Sequence, residues 1–231
     1  MDSVAPLQAG GNTAGRPRGR PRKTPDERDD GNRRVALVSA AAKLFRRKGF
    51  DGTSTRDIAA AVGMHSGSPF YHFKSKGALL YAVMEQGMRS ALDRQTAALQ
   101  SKPSAPDAAA VLRVLIRNHF EVLLGPGSDF IPVMLYESRS LTARQRASIA
   151  RLRSEYESRW EPVLAALAQQ GRLQGPVKLA RLLVFGALNW SVQWFDARQE
   201  ASLDDLTDAA LALFLHAPKQ ARKVTARQST P

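Results

Sequence analysis

The segment Ser66-Gly67-Ser68, followed closely by Tyr71, has the residue types needed to meet the edges of DNA base pairs. Small side chains let a helix lie deep in the major groove, and hydroxyl groups exchange hydrogen bonds with bases and phosphates. If the segment begins a helix, the partial positive charge of that helix N-terminus also points towards phosphates. These residues therefore predict recognition of a nucleic acid.

Other kinds of chemistry find little support in the sequence. It has no H-E-x-x-H, G-x-S-x-G, Walker or dinucleotide-binding glycine motif, so we expect no enzyme activity. It has no cysteine, and its four histidines are not spaced as metal ligands are: His65, His72, His119 and His216. We therefore expect no metal and no cofactor.

The formal net charge of +13 is concentrated at the two ends of the chain. Residues 1–76 hold 15 Lys and Arg against 7 Asp and Glu, residues 77–217 hold 15 against 14, and residues 218–231 hold 4 against none. A basic end beside a nearly neutral remainder is typical of a protein that presents one end to a polyanion. The alternative for each basic end is a tail that is merely solvated.

The sequence also bears on location. No apolar stretch approaches the ~20 residues that a membrane-spanning helix needs, and the first thirty residues lack the apolar stretch of a signal peptide. We expect a cytoplasmic protein with no membrane partner.

Helical periodicity runs through the chain from Asn32, and no convincing strand pattern interrupts it. The sequence thus predicts an all-α protein with a three-helix helix-turn-helix head and a six-helix body. We place a disordered basic arm at 1–31, the head at 32–76, a ligand-binding and dimerisation body at 77–217, and a basic tail at 218–231.

Capping residues set the expected boundaries of the helices. The first helix ends at Gly49, Ser54 with Asp57 resembles a capping box at the start of the second, and Ser66 caps the third. Pro162 should kink the longest body helix or mark its restart. The expected body helices cover about 76–100, 107–124, 130–140, 142–171, 176–195 and 202–216.

Spaced motifs in residues 33–85 resemble the DNA-binding head of the TetR family of bacterial regulators. The motifs are Ala41-Ala42-x-Leu44-Phe45, Lys48-Gly49-Phe50, Thr53-x-Thr55-x-x-Ile58-Ala59-x-x-Val62-Gly63 and Gly67-Ser68-x-Phe70-x-His72-Phe73-x-Ser75-Lys76-x-x-Leu79-Leu80. The resemblance implies a transcriptional regulator that binds double-stranded DNA. In the body, Glu137, Ala187-Leu188-Asn189-Trp190 and Trp194-Phe195-Asp196 resemble the branch of the family that controls fatty-acid, acyl-CoA or steroid catabolism.

The resemblance also implies particular DNA contacts. Thr55 stands where the family caps its second helix and touches a phosphate, and Lys76 stands where a lysine of the fourth helix contacts phosphate. Phe70 replaces the family's usual tyrosine, so that hydroxyl contact is lost unless Tyr71 supplies it. The expected DNA-contacting residues are Thr55, Arg56, Ser66, Gly67, Ser68, Tyr71, His72, Lys74 and Lys76.

The arm contains Arg18-Gly19-Arg20-Pro21, which resembles an AT-hook. Glycine avoids bulk, proline keeps the chain extended, and arginines meet the negative potential of a narrow minor groove. We expect the arm to dock in the minor groove, and a polybasic tail that adds nonspecific affinity is the alternative. The arm residues concerned are Arg16, Arg18, Arg20, Arg22 and Lys23.

The expected helix at 176–195 is apolar almost all round, so it must be covered on both sides. Together with the amphipathic helix at 202–216 it predicts a four-helix interface in a homodimer, unless a single larger core covers both helices. The expected interface residues are Leu182, Phe185, Leu188, Val192, Phe195, Leu206, Ala210, Leu213 and Phe214.

Methionine and aromatic residues of the body suit an adaptable apolar ligand, although each can also be plain core. The expected pocket residues are Met84, Met88, Phe120, Leu123, Met134, Glu137, Asn189 and Trp190, with Glu137 and Asn189 as polar groups that orient a ligand. The resemblance implies that this effector is an acyl-CoA or a related lipid thioester.

Together these expectations describe a homodimeric repressor on a pseudo-palindromic operator, released when a small apolar or acyl-CoA-type effector binds. The fourth helix links head to body and is the expected lever. The alternative is a constitutive architectural DNA-binding protein without a ligand, which a body without a cavity would favour. The sequence leaves the operator, the regulated genes and the choice between activation and repression open.

Overall fold

The computed structural model describes residues 25–64, 69–101, 107–196 and 201–217, and every regular element in these ranges is helical. The predicted all-α class is therefore confirmed for the described residues. Two 3₁₀ turns cover Ser138–Ser140 and Ser191–Gln193. The α-helices are α1 (Pro25–Lys48), α2 (Thr55–Ala61), α3 (Pro69–His72), α4 (Lys76–Gln100), α5 (Ala108–Leu124), α6 (Phe130–Tyr136), α7 (Ala143–Ser158), α8 (Glu161–Gln169), α9 (Val177–Trp190) and α10 (Leu203–Phe214).

Helix α1 begins at Pro25, well before the predicted start at Asn32. The predicted disordered arm is therefore wrong for residues 25–31, and its remaining residues lie outside the described ranges. Proline fits the first position of a helix because its missing N–H has no intrahelical partner there. The apolar pattern missed residues 25–31 because they contain no apolar side chain after Pro25 and so give no periodic signal.

The predicted helix at 142–171 is two helices, α7 and α8, and Pro162 lies in the first turn of α8. Proline lacks an N–H and clashes with the preceding turn, which favours a restart over a continuous helix. The predicted helices at 130–140 and 176–195 are also shorter, because each ends in a 3₁₀ turn. The described body therefore has seven α-helices, α4–α10, rather than the predicted six.

Two clusters of buried apolar side chains support the molecule. The head cluster joins α1, α2 and the first half of α4, with Phe45 and Ile58 among its fully buried members. The body cluster includes side chains of α4, α5, α8 and α9, with Phe120 and Trp160 among its members. Helix α4 runs through both clusters, so it links the head to the body as predicted.

Helix α6 and the start of α7 also join the two clusters. Val133 of α6, with Leu141 and Ile149, completes the head cluster, whereas Ile131 belongs to the body cluster. Met134 packs against both. The hydrophobic core beneath the head therefore depends on residues that the sequence assigned to the body.

The packing of α4 against α6 depends on a glycine. A Cβ atom at Gly87 of α4 would lie 1.9 Å from Cδ2 of the Phe130 ring in α6. Real Cβ atoms do not approach neighbours this closely, so glycine is what lets the ring lie against the α4 backbone. This contact fixes the distance between the two helices that join head and body.

Candidate functional site

Helix α2 begins with a capping box. The Asp57 backbone N–H donates to Ser54 Oγ (3.1 Å), and the Ser54 backbone N–H donates to Asp57 Oδ2 (2.8 Å). Hydrogen bonds from Ser54 lower the pKa of the Asp57 carboxyl. The predicted Ser54 cap is confirmed, and Thr55, which the resemblance made the cap, is instead the first residue of the helix.

The turn between α1 and α2 is held from three directions. Thr53 Oγ1 donates to the Gly49 carbonyl oxygen (2.8 Å). Lys76 Nζ donates to the carbonyl oxygens of Phe50 (2.8 Å) and Thr53 (3.0 Å) and lies 4.2 Å from the centre of the Phe50 ring. The Phe50 backbone N–H donates to Glu137 Oε1 (2.9 Å). Lys76, the expected phosphate contact, is thus also a residue that positions this turn.

The described residues of the expected DNA-facing side are accessible. Tyr71 of α3 is 80% exposed, and Arg56 and Lys74 are exposed as well. His72 is half-buried, and its ring meets the edge of the Tyr71 ring at a centroid distance of 5.2 Å. Behind them Phe73 is buried in the head cluster.

Several expected DNA contacts lie outside the described residues. They include Ser66, Gly67 and Ser68 and all five basic residues of the arm. Their roles stay predictions. The described head adds positive charge of its own in the last turn of α1, where Arg46, Arg47 and Lys48 are exposed.

A cavity of about 370 Å³ lies in the body, bordered by α4, α5, α6, α7 and α9. Its apolar lining includes Met88, Ile131, Met134 and Leu135. Leu141 and Ile149, which are members of the head cluster, line it as well. The cavity wall and the core beneath the head therefore share side chains.

The sequence located this cavity only in part. Met88, Met134 and Asn189 line it as predicted. Met84 does not, because it lies one turn earlier on α4 and is buried in the head cluster.

Four other pocket predictions are wrong for this cavity. Phe120 and Leu123 are packed in the body cluster instead of lining open space. Glu137 turns towards the head, where it accepts the Phe50 hydrogen bond. Trp190 is 64% exposed on the far side of α9 from Phe185, which is buried and lines the cavity.

Three polar side chains from three helices meet at the cavity wall. His119 Nδ1 lies 3.0 Å from the Tyr156 hydroxyl, and His119 Nε2 lies 3.2 Å from Asn189 Oδ1. The rings of Trp160 and Phe185 meet the His119 ring edge-on at centroid distances of 5.8 and 5.2 Å. Burial lowers the pKa of His119 to about 4, so the imidazole is uncharged at neutral pH.

The pocket residues expected from the sequence included neither His119 nor Tyr156. The histidines had been considered only as metal ligands, and no pattern pointed to Tyr156. The expected residues also did not include Arg146 and Arg153 of α7, which line the cavity and are exposed to solvent. With Ala150 and Glu157 they recur at a spacing of three or four residues, which places them on one helix face. That spacing was the available signal. Glu157 is also paired with Arg181 of α9.

Helices α9 and α10 leave an apolar surface uncovered. Leu179, Leu182, Leu183, Trp190 and Leu213 are all more than half exposed. Isolated apolar residues are common on surfaces, but five of them on two consecutive helices favour an interaction site. We call these five residues the α9–α10 face.

The predicted dimer interface shares only two residues with this face, Leu182 and Leu213. Phe185, Leu188 and Ala210 are buried in the core of their own chain, so assigning them to the interface was wrong. The helices are apolar on both sides, and sequence alone did not tell which side faces inward. The other predicted interface residues are partly buried: Val192, Phe195, Leu206 and Phe214.

Family models match both parts of the chain. The model of bacterial regulatory proteins of the tetR family matches residues 37–83, and the model of the tetracyclin repressor-like C-terminal domain matches residues 105–217. The chain belongs to the TetR family. It is a DNA-binding transcriptional regulator rather than an enzyme, as the motifs predicted.

Individual relatives and solved structures match this chain over most of their own length. The HTH-type transcriptional repressor KstR2 of Rhodococcus jostii (strain RHA1) is 26% identical over 201 residues, 83% of this chain and 96% of the relative. The crystal structure of superantigen PfiT is 38% identical, with a TM-score of 0.66, and the match covers 80% of this chain and 96% of that chain. The structure of AibR in complex with isovaleryl coenzyme A and operator DNA is 24% identical, with a TM-score of 0.71, over 79% of this chain and 97% of that chain.

No described helix is both long and apolar enough to cross a membrane. Among the described residues, no group of three or more His, Asp or Glu side chains is arranged to hold a metal ion.

Proposed function

We propose that this TetR-family chain is a ligand-responsive repressor that acts as a homodimer on a pseudo-palindromic operator and is released by an apolar, acyl-CoA-type effector. The observation that carries the proposal is the cavity of about 370 Å³, whose wall includes members of the hydrophobic core beneath the head. Its volume lies within the ~300–1,000 Å³ of typical small-molecule sites. A constitutive architectural DNA-binding protein would have no need of it.

The proposed release works through side chains that the cavity and head have in common. A ligand that enters pushes on Met134, Leu141 and Ile149, which pack against the head cluster. Helix α6 also carries the link between Glu137 at its end and the Phe50 N–H in the head. If the two heads of the dimer are a different distance apart in the ligand-bound form, they no longer match the paired half-sites. Ligand binding then shifts the population towards a form that does not bind DNA.

The proposed effector class follows from the lining. Methionine and aliphatic side chains suit an alkyl chain, and the solvent-exposed Arg146 and Arg153 suit phosphate groups. Among the relatives, AibR has been crystallised with isovaleryl coenzyme A. We infer an acyl-CoA-type effector for this chain on these grounds.

The proposed homodimer forms through the α9–α10 face. Two copies related by a two-fold axis would bury these residues against each other and present two heads to paired half-sites. We propose that the DNA contacts come from Arg56, Tyr71, Lys74 and the segment 66–68, and that the protein acts in the cytoplasm.

We further propose that the basic arm docks in the minor groove beside the operator. Removal of residues 1–24 would then weaken binding more on a fragment with A·T-rich flanks than on one with G·C-rich flanks. Equal weakening on both fragments would favour the polybasic alternative.

The experiment that tests the function is a mobility-shift titration. The DNA is the intergenic fragment next to the chain's own gene, and the ligands are isovaleryl-, octanoyl- and stearoyl-CoA, with free CoA as the control. We expect sequence-selective binding that at least one acyl-CoA relieves and free CoA does not. Failure of all three to release DNA would remove the acyl-CoA assignment.

A matched pair of variants tests whether release passes through the cavity. Ala150→Trp fills the cavity from α7, whereas Ala147→Trp places the same ring on an exposed part of the same helix outside the cavity. We expect both variants to bind DNA and only Ala150→Trp to resist release. An equal response of both variants would argue against this cavity as the effector site.

A further inference from the structure

Hydrogen bonds connect three polar side chains of the cavity wall. Tyr156 of α7 and His119 of α5 are at least nine-tenths buried, and Asn189 of α9 is half-buried. The Tyr156 hydroxyl lies 3.0 Å from His119 Nδ1, and His119 Nε2 lies 3.2 Å from Asn189 Oδ1. Each of the three side chains therefore fixes the orientation of the next.

The direction of the donated protons follows from protonation. Burial raises the pKa of Tyr156 and lowers that of His119, so the phenol keeps its proton and the imidazole carries only one. Asn189 Oδ1 can only accept, so its contact with His119 Nε2 requires a donor there, and Nδ1, left bare, accepts from the Tyr156 hydroxyl. The imidazole proton is therefore on Nε2, which donates to Asn189 Oδ1.

This arrangement determines what Asn189 offers a ligand. Its Oδ1 lies against His119 Nε2, and its Nδ2 has no hydrogen-bond partner among the described residues. The Nδ2 group brings two N–H donors to a cavity that Met88, Ile131 and Met134 also line. A ligand that fills this space without an acceptor would leave those donors unsatisfied.

We propose that Asn189 determines effector specificity by donating a hydrogen bond from Nδ2 to the thioester carbonyl oxygen of the acyl group. The inference rests on the acyl-CoA-type effector proposed above. A carbonyl oxygen accepts without carrying charge, and it is the polar atom that every acyl thioester carries at the head of its alkyl chain. His119 and Tyr156 are positioning residues, because they act through Asn189.

The test compares two probes that differ only at the carbonyl. Octanoyl-CoA has the thioester oxygen, and S-octyl-CoA, a thioether, lacks it. Calorimetric titration of the full-length protein should show octanoyl-CoA binding about tenfold more tightly. In Asn189→Leu the two probes should bind about equally, whereas Gln169→Leu, an exposed amide on α8 outside the cavity, should keep the difference.

The outcomes separate this inference from the proposed function. If the unmodified protein binds both probes equally and both release DNA, the role of Asn189 is overturned and the effector class stands. If neither of these probes nor isovaleryl-CoA nor stearoyl-CoA binds, the acyl-CoA class itself fails, and the thioester partner of Asn189 fails with it. A difference that survives Asn189→Leu would also overturn the inference.

A measurement without any ligand tests the positioning residues. Nitrogen NMR of histidine-labelled protein, with His119 assigned by His119→Gln, should show His119 protonated on Nε2 and bare on Nδ1. Tyr156→Phe should change this tautomer preference while the protein stays folded. It should also reduce the difference in affinity between octanoyl-CoA and S-octyl-CoA. A proton on Nδ1 in the unmodified protein would overturn the proposed direction of the hydrogen bonds.

Discussion

His119 shows how one residue can link the interior of the body to solution pH. Burial lowers its pKa from 6.5 to about 4 in the folded chain. In the unfolded chain the imidazole takes up a proton near its ordinary pKa. Between these two pKa values the unfolded state therefore binds more protons, and acid favours unfolding.

We predict that stability falls as the pH drops from 7 to 4, and that His119→Gln removes a large part of this fall. A pKa difference of about 2.5 units corresponds to about 3 kcal/mol. Urea unfolding at pH 7 and at pH 4.5 measures the effect in both proteins. Because other groups also titrate, the informative quantity is how much more the free energy of unfolding falls between the two pH values in the unmodified protein than in His119→Gln. An equal fall in both proteins would contradict the prediction.

At the scale of elements, the short helix α6 contacts both the cavity and the head. One side of it meets the cavity through Ile131 and Met134, and the other supplies Val133 to the head cluster. Its N-terminal side is tied to α1 by the ion pair between Asp129 and Arg46 (2.9 Å), and its C-terminal side holds Phe50 through Glu137. From the sequence we expected α4 to be the lever, and α6 was not identified as a second link.

Gly87→Ala should disturb the contact between these two links. The new methyl group would overlap the Phe130 ring, so α4 and α6 must move apart or the ring must leave its place. Overpacking of this kind costs about 1–3 kcal/mol. Denaturant unfolding should show that loss, and mobility shifts should show weaker DNA binding.

Gly77→Ala is the matched control, because it lies on the same helix and a Cβ there would come no closer than 3.8 Å to Ser75 Oγ. It should be neutral or stabilise the protein by up to about 1 kcal/mol. Similar losses in both variants would show that helix flexibility, and not the Phe130 contact, is what matters.

Glu137→Leu should uncouple ligand binding from DNA release. The change removes the acceptor of the Phe50 N–H but leaves the cavity lining intact. Acyl-CoA affinity should therefore stay the same, while the ratio of DNA affinities without and with ligand falls towards one from the roughly 5–150-fold typical of allosteric proteins.

Calorimetry and mobility shifts on the same protein supply the two quantities. Glu137→Gln keeps an acceptor oxygen and should keep most of the coupling. The hypothesis fails if Glu137→Leu responds to ligand as fully as the unmodified protein.

At the scale of the whole molecule, the sequence predicted the helical class, the helix-turn-helix head and most helix boundaries, because periodicity and caps are local signals. It was weaker on which neighbour covers each apolar side. Met84 and Met88 lie one turn apart on α4, yet one is in the head cluster and the other lines the cavity. Only the crossing of α6 over α4 decides between these two environments.

The α9–α10 face leads to a prediction about assembly. Leu183→Glu places a charge on that face, where Leu183 is 72% exposed in the single chain. Light scattering after size exclusion should then report a monomer, and operator affinity should fall at least about tenfold because paired half-sites are no longer engaged together.

Val35→Glu is the control for added charge on an exposed apolar residue, since Val35 is 54% exposed on α1 and far from α9 in sequence. It should remain dimeric. A Leu183→Glu variant that is still dimeric would place the interface elsewhere.

The contribution of Val133, Leu141 and Ile149 to the core beneath the head has a consequence for hybrid regulators. A hybrid joined at residue 76 would combine this head with the body of another regulator. The head cluster would then lose the side chains that this body supplies to it. A swap that also transplants these three positions would retain that packing. The same packing limits how effector specificity can diverge among such proteins. A mutation that reshapes the cavity at Leu141 or Ile149 also changes the packing against the DNA-binding head.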